Sequence, residues 1–488
     1  MGSQNAKKIL DSVHGYITIE KELFDNIIDT PIFQRLRRIE QTSTRTLFPT
    51  ARHDRFSHSL GVYHLGCCIV QAICKTNDYP HFPANKEIVF STYKLACLLH
   101  DVGHAPFSHT FEDFYDNETN NLSSILTKEL DSTSFSSDTA KYLHKAASHE
   151  KMSAIISLRV FKNYIEKNSD KELFVRMITG CKYYGCKNKS FENAFIDLIH
   201  GEIIDADGLD YVERDSWSSG CYTAHVDLDR MISSIRIHKN KDDDWEVCYS
   251  PKCLNEIEAV LSIKNHQQQH LFTHHTIVYE RELLKKAMES SALHHFSLSY
   301  SEDKETRVSA LEKLCDINSL HSVINLPAHQ IPLQFSDDDS FISLMKYIPD
   351  DKYVKQWLSR KYELVPLWKS TAEFFTFFPQ LHKLQYSSKC WLFSTKCQEY
   401  LSDYLEINKD EIWIVAADSK DKRVKASQVK FLINDTIIPY ADVYAGESGS
   451  FDPNRKPFAY IYIPSKFKEQ IPKINEDLSK QMELFLFG

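Results

Sequence analysis

No run of the 488-residue sequence is apolar enough to span a membrane. The most apolar stretch, Leu95 to Leu99, is a few residues long, whereas a spanning helix needs about 20. The segment from Met1 to Leu10 is polar and carries Lys7 and Lys8, so no signal peptide is expected and a cytoplasmic location is the default. The 12 cysteines lack the paired register of a zinc site: Cys67 and Cys68 lie in an apolar helical stretch, and Cys181 and Cys186 have no second pair. They read as buried, reduced thiols. A cationic excess is absent too. Against 67 Asp+Glu stand 58 Lys+Arg, a net charge of −9, which argues against a broad surface gripping duplex nucleic acid and leaves room only for a local basic groove. There is no internal repeat and no low-complexity tract.

What is present suffices for a folded chain. Hydrophobic residues at 42% and aromatics at 12% can build a core, which excludes a mostly disordered protein. From Ile27 to about Leu293 apolar residues recur at helical steps, as in Leu60, His64, Cys67, Cys68 and Ala72. Asp29-Thr30-Pro31, Phe48-Pro49 and Ala105-Pro106 punctuate the pattern. The polar stretch Asp116 to Thr139 reads as a surface loop or a short insertion near whatever site the flanking helices build. Beyond residue 300 the texture changes. Phe335 to Ser340 reads as an acidic turn, and Ile412–Val415, Val429–Ile433 and Ala459–Ile463 alternate like strands. Gly446 to Asn454 suits a long turn, Lys420, Lys422, Arg423 and Lys425 form a small basic cluster, and Ser465 to Phe487 suits a closing helix. The expected architecture is mainly α: a helical body over residues 1–300 and a smaller mixed α+β lobe over 301–488.

Chemistry concentrates at His100-Asp101-Val102-Gly103-His104-Ala105-Pro106-Phe107-Ser108-His109, directly after an apolar helix. Gly103 and Pro106 break the backbone there, which lets an adjacent His and Asp reach one metal ion. Arg55-Phe56-Ser57-His58-Ser59-Leu60-Gly61 and Asp205-Ala206-Asp207-Gly208-Leu209-Asp210-Tyr211 are the companion groups. Imidazoles and carboxylates together suit a borderline-to-hard divalent ion such as Mn, Fe, Ni, Zn or Mg. One His of the second group, the His-Asp pair and one Asp of the third would leave coordination positions open, as a catalytic site requires.

In order and context, His58, the His100-Asp101 pair and Asp207 resemble the HD-domain phosphohydrolases. Asp29-Thr30-Pro31-Ile32-Phe33-Gln34-Arg35-Leu36-Arg37, Phe48-Pro49, Asp54 to Gly61 and Gly103 to His109 resemble, more narrowly, the dNTP triphosphohydrolase branch. The resemblance spans roughly residues 10 to 290. It implies a helical HD-domain core and hydrolysis of a deoxynucleoside triphosphate at the α-phosphorus, giving deoxynucleoside and inorganic triphosphate. His58, His100, Asp101 and Asp207 would be the metal ligands. His109 would be the general acid, with Glu112 beside it on a helix starting near Phe107. His104 and His149, followed by Glu150, would serve the α-phosphate or its chemistry. Arg55 stands at the site's mouth, and Gln41, Tyr211, Asp215 and Tyr279 would contact the nucleoside. Asp29, Gln34 and Arg37 match positions that bind an activating nucleotide between subunits, in a homo-oligomer of two or more chains.

Several positions depart from the branch. Gly208 stands where Lys or Arg is usual, Leu271 where an Arg holds the triphosphate, and Glu280-Arg281 where relatives carry a His. Arg45, Arg52, Lys264 or Arg281 would have to compensate. The alternative readings are an HD phosphohydrolase acting on single-stranded nucleic acid or another nucleotide, and a catalytically silent nucleotide sensor.

Overall fold

Helix Arg55–Ile73 starts at Asp54, whose carboxylate accepts the Ser57 N–H at 2.8 Å. It buries Phe56, Leu60, Val62, Leu65 and Ile69 against helix Lys86–Leu99, which contributes Val89, Phe90, Tyr93 and the run Leu95 to Leu99. Helix Ala206–Ser219 packs on its other side, capped by Asp205 at one end and by left-handed Gly220 (φ 75°) at the other. Gly61 permits that approach: a Cβ there would stand 1.9 Å from Asp210 Oδ1. Helices Ser148–Val160, Lys171–Thr179, Leu254–Gln267 and His275–His295 complete the body. This computed structural model describes residues 5–42, 45–114, 116, 121–143, 146–201, 204–296, 304–314, 336–378, 386–417, 429–440 and 458–487. The expected basic cluster at Lys420 to Lys425 and the turn at Gly446 to Asn454 lie outside them.

Among the described residues the strands are β1 (Ala6–Asp11), β2 (Gly15–Glu20), β3 (Ile235–Lys239), β4 (Trp245–Tyr249), β5 (Leu364–Pro366), β6 (Trp413–Ala417), β7 (Lys430–Ile433), β8 (Thr436–Pro439) and β9 (Phe458–Pro464). β1 and β2 form a hairpin in register Ile9↔Ile17. β5, β9 and β6 form an antiparallel sheet in the C-terminal part, where the mixed lobe was expected. The four-stranded sheet β3-β4-β7-β8 joins both parts of the chain, through a parallel pairing of Tyr249 with Phe431. β3 and β4 thus lie inside the stretch expected to be predominantly helical, and the sheet crosses the boundary expected at residue 300.

Two expectations need correction. The polar stretch Asp116 to Thr139 carries helices Leu122–Leu130 and Thr133–Tyr142. Asn121 caps the first by accepting the Ser124 N–H at 2.9 Å, and Leu122, Leu126 and Leu130, one turn apart, are buried. The acidic run near residue 337 is not a turn but the start of helix Asp337–Tyr347, where negative charge suits the N-terminal end. The closing segment is helical as expected, a 3₁₀ turn at Ser465–Gln470 leading into helix Ile471–Phe487.

Because Gly61 abuts a buried carboxylate, Gly61→Ala is expected to cost about 1–3 kcal/mol of stability by overpacking. Urea unfolding of the two chains checks this, and an unchanged midpoint would mean that the two helices separate freely.

Candidate metal centre and histidine cluster

His58 leaves the first turn of its helix fully buried. Its Nδ1 meets Asp210 Oδ2 at 2.7 Å, which turns Nε2 toward Asp207 Oδ1 at 2.9 Å and Asp101 Oδ2 at 3.7 Å. His100 ends helix Lys86–Leu99 with Nδ1 on the Cys97 carbonyl at 3.0 Å. Its Nε2 is 3.6 Å from Asp101 Oδ1 and 3.7 Å from Asp207 Oδ1. Neither Nε2 has a hydrogen-bond partner in acceptable geometry, although both are buried; the 2.9 Å approach of Asp207 to His58 is close but poorly directed. Ligand atoms of His58, His100 and Asp207 lie within 4.8 Å of one another. Buried polar atoms normally find partners. Two bare imidazole nitrogens aimed at two carboxylates fit a divalent cation of the Mn, Fe, Ni, Zn or Mg kind.

The charges agree. Burial would raise the Asp101 pKa, but Arg55, whose Nη1 lies 2.6 Å from Oδ2, and then His100 and His58 hold it well below the carboxylate range. Burial disfavours a charged His58, yet Asp207 and Asp210 outweigh it and push its pKa up to about 10. The pocket thus attracts positive charge, which a bound divalent cation would supply. Asp210 also receives His14 Nε2 at 2.6 Å and Arg214, whose guanidinium reaches Asp11 as well.

Beside this centre, His104, His109, Glu112 and His149 form a second group within 4.8 Å. Glu112 binds both His109, at 2.8 Å through Nδ1, and His149 Nδ1. Residues 108–114 form two single-turn 3₁₀ helices, at Ser108–Thr110 and Glu112–Phe114, in place of the helix expected from Phe107. The His109–Glu112 contact bridges the two 3₁₀ turns across Phe111. His104 stacks on His149 with ring centres 4.4 Å apart. Burial, joined by Arg55, His149 and His109, keeps the His104 pKa well below its ordinary value, and neither ring nitrogen has a partner. Burial opposes charge on His149, but Glu112 prevails and pushes its pKa up to about 9. The cluster therefore pairs a neutral imidazole with a cationic one.

Gln41, Arg55, Asp101, His109, Glu112, His149, Asp207, Tyr211 and Asp215 line one cavity of about 680 Å³. Five residues expected at the site do not line it: His58, His100 and His104 are buried, and Glu150 and Tyr279 are engaged elsewhere. Glu150 accepts the Ala147 N–H at 2.7 Å and meets His200 at 2.9 Å, so its carboxylate caps its own helix. Tyr279 lies among Tyr362, Trp413 and Tyr462 and donates to Gln356 Oε1 at 3.0 Å. Its helix turns Ile277, Val278, Arg281 and Lys285 to the cavity instead. Asp29, Gln34 and Arg37 sit apart from the cavity wall: Arg37 donates to Gln34 Oε1 at 2.8 Å, and Lys7 reaches Asp29 at 3.3 Å. Beside Gly208, Lys264 Nζ would be 2.4 Å from a Cβ, so an ammonium from another helix fills the space where a side chain at 208 would begin. Sequence reading placed Asp210 in the third motif but gave it no role, although it stands one turn after Asp207. It missed Lys285, one turn after Arg281, and Val415, whose place in the wall no motif announces.

Residues 55–179 match the family model described as the HD domain. The chain is similar to the deoxynucleoside triphosphate triphosphohydrolase SAMHD1 homolog of Dictyostelium discoideum, 27% identical over 275 residues, 56% of this chain and 46% of that one. With the deoxynucleoside triphosphate triphosphohydrolase SAMHD1 of Gallus gallus it shares 45% identity over 103 residues, 21% of this chain and 16% of the other. The crystal structure of a phosphohydrolase from Bacteroides thetaiotaomicron has the same fold, with a TM-score of 0.61 and 20% identity, covering 94% of this chain and 99% of that one. The chain spans about half the length of the curated relatives it matches.

Two measurements probe this arrangement. Asp210→Asn removes the carboxylate that orients His58 and is expected to weaken divalent-metal binding about 10–100-fold, read by metal titration. Unchanged affinity would make Asp210 a purely structural anchor for Arg214. The His149 imidazolium is stabilised by Glu112 most fully below pH 6.5, and that stabilisation is lost as pH rises through about 9. In Glu112→Gln the His149 titration, followed by NMR, is therefore expected to fall toward or below 6.5; a titration still near 9 would show that another group holds the proton.

Proposed function

We propose that this chain is a metal-dependent phosphohydrolase that hydrolyses deoxynucleoside triphosphates at the α-phosphorus, releasing deoxynucleoside and intact triphosphate. The observation that carries the reading is a single cavity. Its floor holds the converging Asp101 and Asp207 beside His58 and His100, and its wall holds His109, Glu112 and His149 next to the cations Arg55, Arg281 and Lys285. A divalent ion held by His58, His100, Asp101 and Asp207 would offset phosphate charge and make a water acidic enough to attack near neutral pH.

The residues divide the remaining work. His109 is half-exposed to the cavity with Nδ1 on Glu112, which leaves Nε2 to hold a proton for the departing 5′-oxygen. His149 stays cationic beside Glu112 and offers charge to a phosphate oxygen. His104, kept neutral by burial, can accept or donate a hydrogen bond without adding charge. Arg281 and Lys285, one turn apart, give the outer phosphates cations that Gly208 and Leu271 do not supply. The same reading carries an activating nucleotide near Asp29, Gln34 and Arg37 in a homo-oligomer.

One observation favours a second reading. Tyr279 packs away from the cavity, so it offers no platform under a deoxyribose, and the substrate would then be another nucleotide or single-stranded nucleic acid. A product assay separates the two. With Mn or Mg, each dNTP alone, all four together and a single-stranded oligonucleotide are offered, and deoxynucleoside plus intact triphosphate is the expected product. Turnover only in the mixture would support the activator site, whereas shortened oligonucleotide beside untouched dNTPs would overturn the triphosphohydrolase reading in favour of the second.

A further inference from the structure

We propose that Asp337, supplied by the C-terminal part of the chain, is a positioning residue that holds the His109 loop and the Gln41 loop in place at the cavity. Its Oδ1 accepts the Phe107 N–H at 2.5 Å, and its Oδ2 accepts the Glu40 N–H at 2.9 Å. Glu40 immediately precedes Gln41, and Phe107 stands two residues before His109. Ser108 Oγ donates to the Gln41 carbonyl at 3.0 Å, so the two loops that Asp337 grips also lean on each other.

The backbone explains why a grip is needed. Phe107 and Ser108 both take the left-handed conformation, with φ of 54° and 55°, which side-chain-bearing residues adopt only when their surroundings enforce it. On one side of the loop the buried Arg35 donates to the carbonyls of Val102 and His104 at 2.8 and 2.9 Å. On the other side stands Asp337, and Trp357 from the same C-terminal part meets the Phe107 ring edge-on at 6.0 Å. The segment bearing His104 and His109 is thus suspended between a buried cation that binds its carbonyls and a carboxylate that binds its amide. Around Asp337 the charged neighbours are Glu40, itself paired with Arg45 at 3.0 Å, and Asp338 on its own helix, with Arg52 and His53 acting on Glu40. Burial, with Glu40 and Asp338, pushes the Asp337 pKa up to about 7 against the pull of its two N–H donors. A carboxylate in so unfavourable a place is explained by the two loops it joins.

Asp337→Asn tests the idea, because its amide can accept only one of the two N–H groups; Asp338→Asn, at the exposed neighbouring position, is the control. Amide hydrogen exchange of Glu40 and Phe107 is expected to rise at least about tenfold in Asp337→Asn and to stay unchanged in Asp338→Asn. Metal content should be unaltered. The kinetic arm rests on the hydrolase reading: kcat is expected to fall about ten- to a hundredfold with KM within about threefold, since the substrate still binds but meets misplaced groups. Wild-type exchange and kcat in Asp337→Asn would overturn the proposal. Should that variant not fold, the unsubstituted chain decides. Strong protection of the Glu40 and Phe107 amides upholds the grip, and exchange as fast as in an open loop rejects it. Should the unsubstituted chain turn over none of the substrates, exchange alone decides, independently of the reaction assigned to the cavity.

Discussion

The shared burial of Asp210 is the constraint on which the centre depends. A single carboxylate with no solvent access receives His14 from the β1–β2 turn, Nδ1 of His58 and the guanidinium of Arg214. It thereby ties the amino-terminal hairpin, helix Arg55–Ile73 and helix Ala206–Ser219 to one point. An isolated buried carboxylate would be costly, and a fully partnered one rigidifies whatever it touches. Because its contact takes His58 Nδ1, only Nε2 is left to face Asp101 and Asp207. The glycine at 61 is the steric counterpart, since no other residue leaves room for the carboxylate against the helix.

From that anchor the electrostatics divide the cavity into two neighbouring districts. One is a carboxylate-rich basin around His58 and His100 that calls for a cation. The other is an imidazole group in which one glutamate decides which rings carry charge. His104 and His149 stack face to face, yet their environments drive them to opposite protonation states. Separation of titrating groups by environment is how a site can offer both neutral and cationic donors at one pH.

Much of this was legible in the chain itself. His58, His100-Asp101 and Asp207 stand out because chemistry forces rare residue types into short motifs with glycine and proline at fixed places. The spacing of His109 and Glu112 suggested that they meet, although they do so from two separate 3₁₀ turns rather than along one helix. What spacing cannot reveal is competition from distant partners. Glu150 goes to a helix cap and His200, and Tyr279 goes to an aromatic cluster completed by Trp413 and Tyr462 from far along the chain. Polar composition also misled at residues 122–142, where three leucines one turn apart outweigh the serines and threonines around them. Asp337 carried no signal beyond an acidic run, because its meaning lies in two backbone amides about 230 and 297 positions away.

The pairing of Tyr249 with Phe431 has a consequence for how the chain can be divided. β4 has β3 on one side and, on the other, β7, a strand from much later in the chain. A fragment comprising only the first 300 residues would present the free edge of β4, with its unpaired peptide groups, to any other chain nearby. Exposed edges of this kind template intermolecular pairing. The first 300 residues are therefore unsuited to life as a separate module: it is β7, from beyond them, that covers the edge they would leave open.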